Sequence, residues 1–204
     1  MFKVTPSALE SFRNYRLGTY DQTLESLIMD LTGMRVPTPE MIFGRRVHEF
    51  IETGKGEFDP VEARQLEEIR KDLTFGFNEI PLIVPFNTGT QEVYIRFRVD
   101  GLTGQVVHEI KTTANFKGVD YYEASYQWRV YLVATGAKMV FYHVIKYGTS
   151  VPRYFHRESF NFFTYPEMEK DVGLLIDDFI RFCLEHNLES VLTVDIEKCK
   201  SELY

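Results

Sequence analysis

Residues 92–112 read EVYIRFRVDGLTGQVVHEIKT, and their alternation decides the fold. Val93, Ile95, Phe97 and Val99 fall on one side of an extended chain, and Tyr94, Arg96, Arg98 and Asp100 on the other, because successive strand side chains point to opposite faces. Gln105 to Thr112 alternates as well. A two-residue hairpin loop at Thr103-Gly104 pairs Leu102 with Gln105, which sets Asp100 opposite Val107, Arg98 opposite Glu109 and Arg96 opposite Lys111. Asp100, Glu109 and Lys111 then share one face, with the acids on a diagonal of roughly 7–8 Å between Cα atoms. Any loop of even length keeps this arrangement, whereas an odd loop without a bulge puts Asp100 on the opposite face.

Two carboxylates beside a lysine suit metal-assisted hydrolysis. A divalent ion held by hard oxygen ligands neutralises a phosphodiester and acidifies its water, and a nearby ammonium orients that water or stabilises the developing charge. Carboxylates beside Arg96 and Arg98 are equally at home in a surface ion network, so the triad alone leaves both uses open.

Working outward, a first helix starts at Thr5-Pro6 or Ser7, and a second apolar run follows at Leu24, Leu27, Ile28 and Leu31. Phe43, Val47, Phe50 and Ile51 recur at helical spacing up to Thr53-Gly54. Val61 to Leu73 is a charged amphipathic helix closed by Gly76. Strands are expected at Phe77 to Val84, Glu92 to Leu102 and Gln105 to Thr112, then a helix from Tyr121 to Ala134 and strands at Lys138 to Tyr147 and Arg153 to Asn161. A last helix runs from Pro166 to about His186. Strand, helix, strand between Glu109 and Tyr147 implies a parallel crossover. The expected fold class is therefore α/β, with one central mixed sheet flanked by helices and the acid-bearing hairpin in its middle. Residues 1–204 form one expected domain: a helical part (1–74), a sheet core (77–161) and a C-terminal helix (166–187).

Two helical motifs add chemistry. Gly44, His48 and Glu52 are four apart and stack as one stripe beside the apolar face of Phe43, Val47 and Phe50. A helix glycine costs about 1 kcal/mol against alanine, a cost that close approach of a strand or ligand would explain. Gln127 and Tyr131, at i and i+4, offer an amide and a phenol to a nucleotide or a metal site, or else Tyr131 is core packing. Trp128, the only tryptophan, fits the core better than a stacking platform.

With 44% hydrophobic residues the chain can bury a full core, and it carries neither a signal-peptide pattern nor a membrane-length apolar run, so a cytoplasmic protein is expected. Cys183 and Cys199 are too few for a cysteine-only metal site. The net charge of −7 argues against indiscriminate polyanion binding. A local basic track of Arg45, Arg46, Arg96, Arg98, Lys111, Lys117 and Arg129 remains, although such arginines also serve as solvated partners of acids.

Taken in order, Gly44-x-x-x-His48-x-x-x-Glu52, Asp100, Glu109-Ile110-Lys111 and Gln127-x-x-x-Tyr131 resemble the PD-(D/E)XK nuclease superfamily, in particular its RecB-like branch, which includes phage recombination exonucleases. The resemblance implies a restriction-endonuclease-like core and Mg2+ or Mn2+ as cofactor. It implies Asp100, Glu109, His48 and the Ile110 carbonyl as metal ligands, and Lys111 as the residue that orients water. Gln127, Tyr131, Arg45, Arg96 and Arg98 become candidates for the DNA path or for support of the site. The resemblance implies that Glu52 contacts metal-bound water or holds His48 or a basic residue in place. The implied substrate is linear DNA, double-stranded or with single-stranded ends, cut exonucleolytically in recombination, repair or phage DNA metabolism, in a bacterial or phage-infected cytoplasm. A structure-selective endonuclease and a non-catalytic nuclease-like binding domain stay open. Val99 replaces the signature proline, and Phe97 a glycine common in relatives. The cysteines that clamp an iron–sulfur cluster in many relatives are missing, so no cluster is expected. A homo-oligomer, an annealing protein and a helicase are partners the resemblance allows but no residue here marks.

Overall fold

The computed structural model describes residues 2–19, 22–73 and 80–193. A short strand, β1 (Phe2–Val4), precedes four helices, α1 (Pro6–Arg16), α2 (Leu24–Thr32), α3 (Pro39–Thr53) and α4 (Pro60–Asp72). Their starts are written locally. The side chains of Thr5, Thr23, Thr38 and Asp59 accept backbone N–H groups of Ala8, Ser26, Met41 and Val61, and proline opens α1, α3 and α4. Gly33 and Gly54 close α2 and α3 in the left-handed region, at φ 71° and 70°, where a side chain would strain the backbone.

Strands β2 (Ile80–Asn87), β3 (Glu92–Val99), β4 (Gly101–Thr103) and β5 (Val106–Thr113) follow. Next come α5 (Val119–Ala124), α6 (Gln127–Thr135), β6 (Met139–Tyr147), β7 (Phe155–Phe163), α7 (Met168–Glu185) and the short α8 (Glu189–Leu192). The class is α/β, as expected, but the sheet is divided. β1, β3 and β2 form one mixed ladder, with β3 central, and β4-β5-β6-β7 form another, with β5 and β6 parallel. The chain changes ladder at the bend of Asp100.

This division corrects the expected hairpin. The turn falls at Gly104-Gln105, so Gly101 pairs with His108 and Thr103 with Val106. The shift is even, yet Arg98 and Arg96 do not face Glu109 and Lys111. They pair with Pro81 and Ile83 of β2, because β3 is taken up between β1 and β2. The helix expected from Tyr121 to Ala134 is also broken, into α5 and α6. Ser125 is extended (ψ 144°), and the N–H of Tyr126 donates to the Glu10 carboxylate of α1 at 2.7 Å instead of continuing the helix. β1 and α8 were not anticipated. Gly76 and the start of the strand expected at Phe77 lie outside the described residues.

Two apolar clusters cover the faces of β5 and β6. Val107, Val140, Tyr142 and Val144 join the larger core with α1, α6 and α7, and Ile110 and Ile145 pack under Val47, Phe50, Ile51 and Leu66 of α3 and α4. Among the described residues no helix is long and apolar enough to cross a membrane.

Candidate active site

β5 carries chemistry on both faces. Glu109 and Lys111 point with Val107 toward α6, while Ile110 and Thr112 point toward α3. Asp100 sits at the strand edge between these faces. Its Oδ2 accepts the Ile110 N–H at 2.6 Å, in the ladder position just beyond the last β4 pair. The N–H and C=O of one strand residue leave on the same side, so the Ile110 carbonyl faces this edge too.

From the other side, α3 brings His48 and Glu52. His48 Nε2 lies 2.8 Å from Glu52 Oε1 and 3.5 Å from Asp100 Oδ1. What seats α3 so closely is Gly44: a Cβ there would stand 2.9 Å from Thr112 Oγ1, and that hydroxyl donates to the Gly44 carbonyl at 3.1 Å. The helix glycine thus has a packing reason, a strand pressed against its backbone.

His48, Glu52 and Asp100 each offer a ligand atom, and these atoms lie within 4.8 Å of one another. One imidazole and two carboxylates form a donor set suited to a divalent ion. Glu109 stands outside this group. Its Oε1 is held by Lys111 Nζ at 2.6 Å and receives the Tyr131 hydroxyl at 3.5 Å. Its Oε2 is buried and, among the described residues, has no hydrogen-bond partner. A buried carboxylate oxygen without a donor costs stability unless a cation or water meets it, so a bound metal would answer this vacancy in the hydrogen bonding. The geometry places Glu52, expected in a supporting role, beside His48 and Asp100, and places Glu109 with Lys111.

The charges are strongly coupled. Burial alone would depress His48, but hydrogen bonds and attraction from Asp100 and Glu52 outweigh it and raise its pKa to about 10. Burial pushes Glu109 up to about 7, with Lys111 pulling it back and Asp100 pushing it further. Lys111 is raised as well: burial opposes its charge, and the Glu109 ion pair prevails. Tyr131 is kept well above its ordinary value by burial and by the Glu109 charge, so it stays a hydrogen-bond donor. Gln127 Nε2 donates to the Tyr131 hydroxyl at 3.0 Å, which completes a chain from α6 to Glu109.

Three clefts meet at the site. One of about 510 Å3 contains Gly44, Arg45, His48, Met41 and Tyr147. A second, about 460 Å3, contains Lys111, Lys117, Tyr121 and Gln127, and the two share a wall at Thr112, Thr113 and Asn115. Arg96 and Arg98 line a third, of about 380 Å3, with Thr5, Ser7, Gln127 and Tyr131. These arginines are therefore near the α6 side of the site rather than across from the acids. Trp128 is core, stacked on Phe162. No local pattern marks Thr112, which holds α3, or Glu10. The Glu10 Oε2 accepts both Ser125 Oγ and the Tyr126 N–H, and so pins the start of α6. A carboxylate on a first helix bears no local mark of a partner more than a hundred residues away.

No protein-family model and no curated protein matches the chain. Solved structures do. The protein SSO0001 is 19% identical, with a TM-score of 0.55 over 88% of this chain and 76% of that one. A candidate exonuclease from Eubacterium rectale is 14% identical, with a TM-score of 0.54 over 90% of this chain and 81% of that one. An alkaline exonuclease from Laribacter hongkongensis is 14% identical over 99% of this chain and 95% of its own, with a TM-score of 0.47. The first two have the same fold as this chain, an α/β core of mixed strands between helices.

Proposed function

We propose that this chain is a divalent-metal-dependent DNA exonuclease of the PD-(D/E)XK type, acting on linear DNA. The observation that carries the reading is the meeting of His48, Glu52 and Asp100 in one ligand group beside the buried Glu109–Lys111 pair, at the junction of clefts. One candidate exonuclease among the structures of similar fold agrees with it. His48, Glu52 and Asp100 would hold Mg2+ or Mn2+, with the Ile110 carbonyl at the same edge and the buried Oε2 of Glu109 as a further candidate ligand. When bound, such an ion neutralises the scissile phosphate and acidifies water. Lys111, fixed by Glu109, presents its ammonium to that water and to the charge that develops on the phosphate. Tyr131 and Gln127 keep Glu109 in place, and Arg45, Arg96 and Arg98 supply phosphate contacts on either side. Water adds to phosphorus, the ester oxygen leaves, and the products are a phosphate monoester and an alcohol. The setting we propose, recombination, repair or phage DNA metabolism, rests on the RecB-like motif order.

The test uses purified protein with end-labelled linear DNA and covalently closed circular DNA, in Mg2+, in Mn2+ and in chelator, beside a Lys111→Ala variant. Linear DNA is shortened only with metal, circular DNA is spared, and the variant is inactive. Cleavage that persists in chelator or in the variant removes the mechanism. Equal attack on circles makes the enzyme an endonuclease.

A further inference from the structure

Among the described residues, the first turn of α6 receives no capping bond from the side chain of Tyr126, the residue at its start, and contains no acidic residue. A carboxylate from another helix takes that place. Glu10 of α1 accepts the Tyr126 N–H at 2.7 Å and the Ser125 hydroxyl at 3.0 Å, both on Oε2, while Arg13 holds its Oε1 at 3.4 Å. An anion there also meets the positive end of the helix dipole. The bonds continue beyond this cap. Ser125 Oγ accepts the Gln127 N–H at 3.1 Å, the Gln127 side-chain amide donates to the Tyr131 hydroxyl at 3.0 Å, and that hydroxyl donates to Glu109 Oε1 at 3.5 Å. The same Glu109 oxygen holds Lys111 Nζ at 2.6 Å. Glu10 therefore stands at one end of a chain of contacts whose other end is the Lys111 ammonium. It lies outside the ligand group of His48, Glu52 and Asp100, which α3 and the strand edge carry.

We propose that Glu10 is a positioning residue of the reaction, seating α6 so that Tyr131 fixes Glu109 and, through it, the Lys111 ammonium. The assignment rests on the nuclease reading for the step it serves, and an unfolding measurement tests it apart from catalysis. A misplacement of about 1 Å costs about a hundredfold in rate at worst, so Glu10→Ala lowers kcat on linear DNA about tenfold or more. KM and the calorimetric affinity for Mn2+ change less than about threefold, because the ligand group is not part of the chain. Glu10→Gln, whose amide oxygen accepts the same bonds, keeps kcat within about threefold of wild type. In a Tyr131→Phe background, where the chain is already cut, Glu10→Ala lowers kcat less than about twofold further. The same four proteins in urea show unfolding constants that depart from additivity by about threefold or more, as members of one hydrogen-bond network do. Equal kcat losses in the two backgrounds, no recovery in Glu10→Gln, a loss of Mn2+ affinity as large as that of kcat, or additive unfolding overturns the role and leaves Glu10 a helix cap alone. If wild type cuts DNA and either cycle is additive, the positioning role falls and the nuclease stands. If wild type does not cut DNA, the nuclease reading falls, and the urea cycle decides whether Glu10 and Tyr131 act as one chain.

Discussion

Replacing Gly44 by alanine sets two effects against each other. Alanine in a helix interior is worth about 1 kcal/mol over glycine. Its Cβ, however, would lie 2.9 Å from Thr112 Oγ1, about 0.5 Å inside ordinary van der Waals contact at about 3.4 Å. Relief has two routes. Rotating Thr112 forfeits its hydrogen bond to the Gly44 carbonyl, about 0.5–1.5 kcal/mol. Pushing α3 away loosens Val47 and Ile51 over Ile110, and overpacking of this kind costs about 1–3 kcal/mol. The cheaper route, rotation of Thr112, sets the cost, so loss and gain nearly cancel and Gly44→Ala changes stability by no more than about 0.5 kcal/mol. In a Thr112→Ala background the next atoms are 3.7 Å away at the Tyr147 hydroxyl and 3.8 Å away at the residue 112 Cβ, both ordinary contacts. There the same substitution stabilises by about 1 kcal/mol, the helix-propensity gain alone. Urea unfolding of the four proteins gives the coupling directly, about 1 kcal/mol. A coupling below about 0.5 kcal/mol, the scatter of independent sites, would refute the account of why α3 carries a glycine.

Removing Lys111 leaves the buried Glu109 carboxylate without its cation, so Lys111→Ala costs about 1–3 kcal/mol in denaturant unfolding at pH 7, and adding Glu109→Gln recovers part of it; a single variant as stable as wild type contradicts this. His48→Ala weakens Mn2+ binding about tenfold or more in calorimetric titration with the fold intact, and an unchanged titration removes His48 from the ligand group. Asp177 accepts bonds from Thr88, Thr90 and Gln91, which hold its pKa below the ordinary value although partial burial pushes the other way. A carboxyl lowered in the folded state contributes stability above its unfolded pKa of about 3.9 and loses it as pH falls through the folded value. Asp177→Asn is therefore about 1 kcal/mol less stable than wild type at pH 7, and the gap closes in strong acid; a gap independent of pH contradicts the assignment.

Short-range pattern carried much of this protein. The threonine and aspartate caps mark the starts of α1 to α4 because each satisfies a backbone N–H within a few residues, the prolines opening α1, α3 and α4 remove an N–H that would need a partner, and Gly33 and Gly54 end α2 and α3. Alternation marked β3 and β5 as half-buried strands, and the four-residue stripe of Gly44, His48 and Glu52 holds because helix periodicity alone sets it. The tertiary structure decided which strands pair. β3 turns away at Asp100 to lie between β1 and β2, so the aspartate caps an edge instead of projecting from a face, and Arg96 and Arg98 leave the partners that a simple hairpin assigns them. Several ladders satisfy the same alternation, and only the burial of Val93, Ile95, Phe97 and Val99 against distant helices selects one. The same holds for the break before α6. No residue between Tyr121 and Ala134 forbids one continuous helix, and the carboxylate of Glu10, brought up by α1, supplies the hydrogen bonds that stabilise the interruption.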